Sequence, residues 1–378
     1  MIRQNVANVF ENSYGQAPVT VFSPGRLNII GEHTDYNDGF VFPAAIDKGI
    51  YAAFGPSDSE LCHVTALDMN QSYKFRFDNI APLENGNWRN YVLGVIKGIL
   101  DAGKELTPFN LVFGGDIPEG AGLSSSAALE NAVVFGLNEL FNLGLSKEEM
   151  IFISQKAEHS YVGVKCGIMD QFASMFGQKN KALLLDCRSI SAKAFDIDLQ
   201  EYQILLINTN VKHSLSVSAY NKRRAVCEKV AALLDVKALR DVKTTDLSAI
   251  SKQITEEEYQ MALYVIQENE RAQQAAAAMQ ANNMTELGQL IYASHHGLQH
   301  QYKVSCEELD FLVDRAKLTP DIAGSRMMGG GFGGCTINII KKDAVRAYAA
   351  NTAAAYREKF DRKCAVYEVS LSQGTHLI

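Results

Sequence analysis

The sequence holds no uninterrupted apolar run near the ~18 residues that a membrane-spanning helix requires, which argues against a protein built from such spans. Its seven cysteines (Cys62, Cys166, Cys187, Cys227, Cys306, Cys335, Cys364) are odd in number and scattered. None forms Cys-x-x-Cys or stands at metal-ligand spacing from a histidine. That pattern excludes a disulfide framework and a cysteine-based zinc site, and reads as the reduced thiols of a cytoplasmic protein. A basic surplus is also missing, since 36 lysines and arginines face 43 aspartates and glutamates for a net charge of -7. No field exists to hold nucleic acid or an anionic membrane, so an anionic substrate must be captured by a local site. Met1-Ile2-Arg3-Gln4-Asn5 lacks the charged-then-apolar order of a secretory leader.

What is present suits an ordinary globular chain, with 47% apolar and 21% charged residues. At 378 residues it is too long for one core of usual size, which predicts two domains. The most informative stretch is 118–128, Pro-Glu-Gly-Ala-Gly-Leu-Ser-Ser-Ser-Ala-Ala. A strand candidate, Leu111-Val112-Phe113, leads into it through Gly114-Gly115-Asp116. A helix leaves it with Leu129, Val133, Leu137 and Leu140 on one face and stops at Gly144. Gly120 and Gly122 let the backbone approach a bulky anion. Ser124, Ser125 and Ser126 sit where free N–H groups and the positive end of the helix dipole point outward. The stretch reads as a phosphate cradle, or more plainly as a glycine turn followed by serine N-capping. No Gly-Lys-Ser/Thr follows the glycines, so this is not a Walker A loop. Phosphate charge must then be met by a metal and by residues from elsewhere.

Around this stretch, residues 4–14 form an amphipathic helix on Val6, Val9 and Phe10, and 19–22 a strand ending in the turn Ser23-Pro24-Gly25. Strand alternation recurs near 40–46, 50–54, 62–67 and 72–77, and a helix begins at Trp88. Ser146 with Glu149, and Thr255 with Glu258, are capping boxes opening helices that reach Tyr161 and Gln280. Residues 182–186 and 202–209 read as strands; the weak stretch between them holds the boundary that divides the chain into 1–190 and 191–378. Helices follow at 218–234, 285–300, 306–317 and 343–360. The glycine-rich 324–334 opens a strand at 335–340, and 364–371 is the last strand. Such a strand–helix–strand ending predicts a small α+β domain with an antiparallel sheet.

Glu32, His33 and Asp35 place three ionisable groups within four residues, near Arg26. Without a second histidine at helical spacing they make a poor metal site. They form either an exposed polar loop with an Asx-turn or a run of short donors and acceptors able to hold the hydroxyls of a sugar. Asp170, after Gly167-Ile168-Met169, is either an N-cap or a partly desolvated general base for a hydroxyl nucleophile. Arg26 is able to keep it ionised and to offset charge on a transferring phosphoryl group. Glu158, near a helix end, opposes the dipole unless a cation meets it. With Ser126 and phosphate oxygens it offers the donors that Mg2+ takes; otherwise it is a solvated surface glutamate. Tyr220 is a site aromatic or a core one, and Trp88 is packing rather than adenine stacking. Residues 329–334 are a tight loop against a ligand or a plain turn. His295 and His296 read as surface histidines.

Gly25-Arg26-Leu27-Asn28-Ile29-Ile30-Gly31-Glu32-His33-Thr34-Asp35-Tyr36 resembles the signature of galactokinases. Residues 120–128 and 329–334 resemble the second and third motifs of the wider GHMP kinase superfamily. Cys166-Gly167-Ile168-Met169-Asp170-Gln171 and Ser218-Ala219-Tyr220-Asn221-Lys222-Arg223-Arg224 are similar to further galactokinase stretches, all in family order. The resemblance implies an α+β fold of two domains, an N-terminal S5-domain-2-like GHMP kinase fold and a C-terminal ferredoxin-like domain, with the active site in the cleft between them. It implies ATP-dependent phosphorylation of the anomeric hydroxyl of D-galactose, giving α-D-galactose 1-phosphate and ADP, the first phosphorylation of galactose metabolism. Asp170 is implied as the base and Arg26 as the stabiliser of the transition state. Glu32, His33, Thr34, Asp35, Gly167, Asp170 and Tyr220 are implied as sugar contacts. Gly120, Ala121, Gly122, Leu123, Ser124, Ser125 and Ser126 would wrap the ATP phosphates, while Ser126 and Glu158 would hold Mg2+. Galactose and ATP are the implied partners, and a monomer the implied assembly. Two rivals stand beside this reading: a GHMP kinase for a related sugar such as N-acetylgalactosamine, and a sensor that binds galactose and ATP without turnover. The intact Ser124-Ser125-Ser126-Ala127-Ala128, with Arg26 and Asp170 in place, favours the enzyme over the sensor.

Overall fold

The computed structural model describes residues 2–118, 120–211 and 216–378, so Glu119 of the expected phosphate loop lies outside the described residues. The first half of the chain runs α1 (Ile2–Tyr14), β1 (Val19–Asn28), β2 (Phe40–Val41), β3 (Pro43–Pro56), β4 (Cys62–Ala66), β5 (Gln71–Phe75), α2 (Trp88–Asp101), β6 (Phe109–Gly115), α3 (Ser125–Phe141), α4 (Lys147–Ala157), α5 (Met169–Phe176), β7 (Lys181–Asp186) and β8 (Ser191–Asp196). The second runs β9 (Tyr202–Asn208), α6 (Ser216–Leu233), α7 (Glu256–Gln280), α8 (Met284–His296), α9 (Glu307–Lys317), β10 (Ile322–Met327), β11 (Cys335–Lys341), α10 (Val345–Phe360), β12 (Ala365–Glu368) and β13 (His376–Leu377). Both expected capping boxes are made, at Ser146–Glu149 and Thr255–Glu258.

Six strands form a sheet in the order β13-β1-β3-β6-β4-β5, antiparallel except for the β4–β6 pair. Side chains alternate across it. Ala53 of β3 and Val112 of β6 meet Val6 and Phe10 of α1 on one face. Phe54 and Phe109 point the other way, into a core with Val95, Val133, Leu137 and Met175 from α2, α3 and α5. A second sheet, β10-β11-β9-β12, is antiparallel throughout, as the chain's ending predicts. Its strand β9 is covered on both sides. Leu205 and Ile207 pack with α9 and α10, while Ile204 and Leu206 face Leu287 and Ile291 of α8. Two covered faces explain the unbroken apolar run by which the sequence marks this strand.

The halves share a core in which Leu27, Ile29, Ile30 and Phe42 pack with Ala272, Ala275, Ala276 and Met279 of α7. The alanines let α7 approach closely; a Cβ on Gly31 would stand 3.4 Å from that of Ala272. The boundary drawn at 190/191 falls inside the β7–β8 hairpin, and β13 returns to pair with β1.

Two segments depart from the sequence reading. Ser23-Pro24-Gly25, expected as a turn, lies inside β1. The register shifts between Pro24 and Arg26, a bulge that accommodates the proline and re-aims the arginine. Gly25 has no room for a side chain there, because a Cβ would stand 2.6 Å from the Leu123 carbonyl. Residues 324–327, read as the start of a glycine-rich loop, belong to β10. Its small residues Ala323 and Gly324 admit α8 through Gly288, where any Cβ would collide with the Ala323 carbonyl. Close packing thus removes the β-branched side chains by which strands are usually read.

Candidate active site

Arg26 leaves β1 at the bulge and is 3% exposed. Its Nε and Nη2 donate to the two carboxylate oxygens of Asp170 at 2.8 and 3.0 Å, and Nη1 donates to the Gly122 carbonyl at 2.7 Å. Burial works against its charge, but Asp170 first and Glu32 next hold its pKa above the ordinary value. Asp170 sits in the first turn of α5 and is no N-cap, that position being taken by Ile168. A third partner reaches it from the glycine–serine loop, where Ser124 Oγ donates to Oδ2 at 2.5 Å. Ser124 has a left-handed φ of 58° and caps nothing, which disposes of the serine-capping alternative. Capping needs extended backbone; the left-handed turn sends the hydroxyl to Asp170 instead.

The loop after β1 is held from the second half. Glu32 is 1% exposed, and its Oε1 accepts from Arg326 Nη2 at 3.1 Å and from the Gly329 N–H at 2.9 Å. Helix α7 grips the loop backbone at three points: Tyr264 Oη donates to the Glu32 carbonyl at 3.1 Å, and Glu268 and Asn269 accept from the N–H groups of Gly31 and Phe40 at 3.0 and 2.8 Å. Thr34, implied as a sugar contact, uses its hydroxyl within the loop. Its fully buried hydroxyl lies 2.8 and 2.6 Å from the Gly31 and Phe40 carbonyls and braces the loop on itself.

Burial, then the charges of Asp170 and Glu32, push the Asp35 carboxyl up to about 7. Gly167 explains how close these groups come, since any Cβ there would collide with the Asp35 carboxylate. His33 is driven down to about 3 by burial and by Arg223, so its imidazole is neutral. The Tyr220 ring packs 5.4 Å from His33 and 5.5 Å from Tyr36. Arg26, Glu32, His33, Asp35, Asp170 and Tyr220 line one cavity with Cys166, Met169, Gly329 and Gly330.

The glycine–serine loop touches two residues of this cavity, Ser124 bonding Asp170 and Gly122 bonding Arg26. Ala121 and Leu123 are each 1% exposed and anchor the loop in the shared core, leaving Gly122 and Ser125 exposed. The third glycine stretch packs on it: a Cβ on Gly329 would stand 3.3 Å from the Gly122 carbonyl. Glu158 follows the last α-helical turn of α4 and is 6% exposed, so the surface-glutamate alternative fails. Burial pushes its carboxyl up to about 7, against a hydrogen bond from Ser126 that pulls it down. Glu130, one turn after Ser126 on α3, is fully buried, and its Oε1 has no partner among the described residues.

Three family descriptions match this chain: Galactokinase galactose-binding signature over residues 8–56, GHMP kinases N terminal domain over 90–178, and GHMP kinases C terminal over 275–358. The galactokinase of Chloroflexus aurantiacus is 42% identical over 94% of this chain and 92% of its own length. That of Thermotoga neapolitana is 39% identical over 95% and 99%. The chain belongs to the galactokinase family. It is a kinase with the two-domain GHMP fold. Among solved structures, Lactococcus lactis galactokinase complexed with galactose is 33% identical and superposes with a TM-score of 0.95 over 100% of both chains. Methanococcus jannaschii mevalonate kinase, 18% identical with a TM-score of 0.65 over 94% of this chain and 99% of its own, shares the fold.

Of the residues the galactokinase resemblance singles out, Arg26, Glu32, His33, Asp35, Asp170 and Tyr220 meet at one cavity, with Gly167 against it. Ser126 and Glu158 meet beside the loop. Sequence reasoning missed the supports. Arg326, fully buried, also donates to the Ile29 carbonyl at 2.8 Å; its only signal is a lone charge just before the glycine run. Glu130 and Glu268 are carboxylates inside otherwise apolar helix faces, a signal that was legible. His295 was misread: it is 1% exposed, because α8 turns it toward β10, where Nδ1 accepts from the Met327 N–H at 3.3 Å. His296 is exposed as expected. Trp88 is packing, with its ring edge-on to Phe113 and Nε1 donating to Gln71 at 2.9 Å.

Proposed function

We propose that this chain transfers the γ-phosphoryl group of ATP to the anomeric hydroxyl of D-galactose, releasing α-D-galactose 1-phosphate and ADP. The observation that carries the reading is the situation of Asp170, a carboxylate clamped by Arg26 and Ser124 that opens on the cavity lined by Glu32, His33, Asp35 and Tyr220. The galactose in the Lactococcus lactis structure supports the choice of sugar. Buried polar groups of this kind reject analogues lacking a hydroxyl, since the site's own groups are then left unpaired.

Phosphoryl transfer passes through a loose transition state, so positioning and charge neutralisation supply most of the rate. Glu32, His33 and Asp35 hold the sugar hydroxyls, and Asp170 accepts the proton of the attacking hydroxyl. Arg26 orients the Asp170 carboxylate through its two hydrogen bonds and offsets charge on the transferring group. Backbone N–H groups of Gly120 to Ser126, at the start of α3, receive phosphate oxygens. Ser126 and Glu158 offer oxygen donors only, and neither Glu130 nor Glu158 is ion-paired among the described residues, which fits Mg2+. No cluster of three acidic, histidine or cysteine side chains forms a closed cation site among those residues, so an ion held by Ser126 and Glu158 would depend on the triphosphate as well. Bound there, the ion would neutralise triphosphate charge.

Residues 1–190 carry the sugar loop, phosphate loop and base in this reading, and 191–378 close the cleft. A cytoplasmic monomer is the accompanying reading. Seven free cysteines suit a reducing compartment. Exposed large apolar side chains such as Met69, Phe152 and Leu318 come from separate elements. No helix among the described residues is long and apolar enough to cross a membrane.

Phosphorus NMR of a reaction with galactose and ATP tests the proposal. A sugar 1-phosphate resonance growing with that of ADP is expected. Phosphate on another oxygen, or a clear preference for N-acetylgalactosamine in parallel, would overturn it.

A further inference from the structure

His33 is held by more than its own loop. Its backbone has a left-handed φ of 66°, uncommon for a residue with a side chain, and its carbonyl accepts from Asn37 Nδ2 at 3.0 Å. Its Nδ1 lies 2.7 Å from Tyr36 Oη, which lies 2.8 Å from Tyr302 Oη, which in turn lies 3.4 Å from Cys227 Sγ. The Tyr302 ring also packs 4.8 Å from the imidazole. On the other edge, Nε2 is buried and has no hydrogen-bond partner among the described residues, although His33 lines the sugar cavity.

We infer that the Tyr302–Tyr36 hydroxyl relay fixes His33 as the Nε2–H tautomer, so that Tyr302, from the second half of the chain, is a positioning residue that sets a hydrogen-bond donor toward a sugar oxygen. A neutral imidazole carries one proton, and the bond made at one nitrogen decides where it resides. The relay can run in two senses. In one, Tyr36 O–H donates to Nδ1; in the other, Nδ1–H donates to the phenol oxygen. An imidazole nitrogen is the better base and a phenol the better acid, so O–H to nitrogen wins. The far end permits that sense. Cys227 Sγ lies 3.4 Å from Tyr302 Oη and either atom is able to donate there, so the Tyr302 proton is free to pass to Tyr36. A weak sulfur donor at the remote end costs less than a reversed bond at the imidazole. Neutrality of the ring, which the assignment needs, follows from its burial near Arg223 and Arg326, against an opposing contact with the Gly330 backbone.

The inference rests on the cavity being the sugar site, but its first test does not. With 15N-labelled histidine and no substrate, and with the His33 signal assigned from a His33→Asn variant, a pyridine-type Nδ1 and a pyrrole-type Nε2 are expected. A pyrrole-type Nδ1 would overturn the assignment whatever the enzyme phosphorylates. Tyr302→Phe keeps the ring and removes the hydroxyl. It should mix the two nitrogen signatures and raise KM for galactose about tenfold, leaving KM for ATP within about twofold. In the parent background Cys227→Ser should keep the relay and both nitrogen signatures, and Cys227→Ala should mix the signatures in part. Unchanged signatures and KM in Tyr302→Phe, or an equal rise in both KM values with a lowered melting temperature, would reduce Tyr302 to a packing residue.

Discussion

Arg26 and Asp170, 144 positions apart in sequence, meet through two parallel hydrogen bonds of 2.8 and 3.0 Å. The pair joins the bulge of β1 to the first turn of α5, and Arg26 Nη1 extends it to the glycine–serine loop at Gly122. One guanidinium therefore orients the proposed base and touches the proposed phosphate cradle at once. Planar fork geometry allows this, and a lysine in its place would not reproduce it.

Asp170→Asn keeps the shape of the side chain and removes its basicity. Turnover should fall about 100-fold or more while galactose and ATP still bind, as calorimetry with each substrate would record. Near-normal turnover of the folded variant would remove Asp170 from the role of base.

Arg326→Met leaves the Glu32 carboxylate buried without its cation and strands three backbone carbonyls, those of Asn28, Ile29 and Met327. Breaking a buried pair in this way costs about 3–5 kcal/mol, which urea unfolding can resolve. A loss below about 1 kcal/mol, the range of exposed pairs, would show that Arg326 does not hold the Glu32 loop.

Gly167→Ala drives a methyl group into the Asp35 carboxylate. KM for galactose should rise about tenfold or more, the effect of misplacing a binding group by a fraction of an ångström. KM for ATP should stay near its starting value, since the collision is on the sugar side. An equal rise in both constants would mean that the whole cleft, not Asp35, had moved.

Glu158→Gln keeps an oxygen donor but removes the charge. Half-maximal activity should then require about tenfold more Mg2+, measured at saturating ATP. An unchanged Mg2+ titration would exclude Glu158 as a ligand.

Asp35 carries a pH signature. Its folded-state pKa of about 7 lies above the unfolded value of 3.8, so the folded protein binds the proton more tightly. Stability from this group is therefore full below about pH 4 and is lost as pH rises through about 7. Asp35→Asn abolishes that loss. Across melting curves from pH 4 to 8, the variant should gain on the parent protein as pH rises and then level off. Parallel curves would show that Asp35 is ionised throughout.

Much of the site was readable because its residues come in short contiguous runs whose chemistry is local. Arg26 through Asp35, Gly120 through Ser126, and Gly167 through Asp170 each advertise donors, acceptors and glycines side by side. Their length and order were enough to name a family, and the periodicity of the helices and buried strands was enough to predict two α+β units. Tertiary structure decided which atoms those groups use. It turned Ser124 from a helix cap into a partner of Asp170, set the Thr34 hydroxyl to brace its own loop, and buried Glu158 and His295. It also supplied Arg326, Glu268 and Tyr302, which lie more than 200 residues beyond the loop they support. Sequence records which groups exist and how they are spaced along one chain. Burial, pairing and protonation depend on what another element brings within hydrogen-bond reach, and that is a property of three-dimensional packing alone.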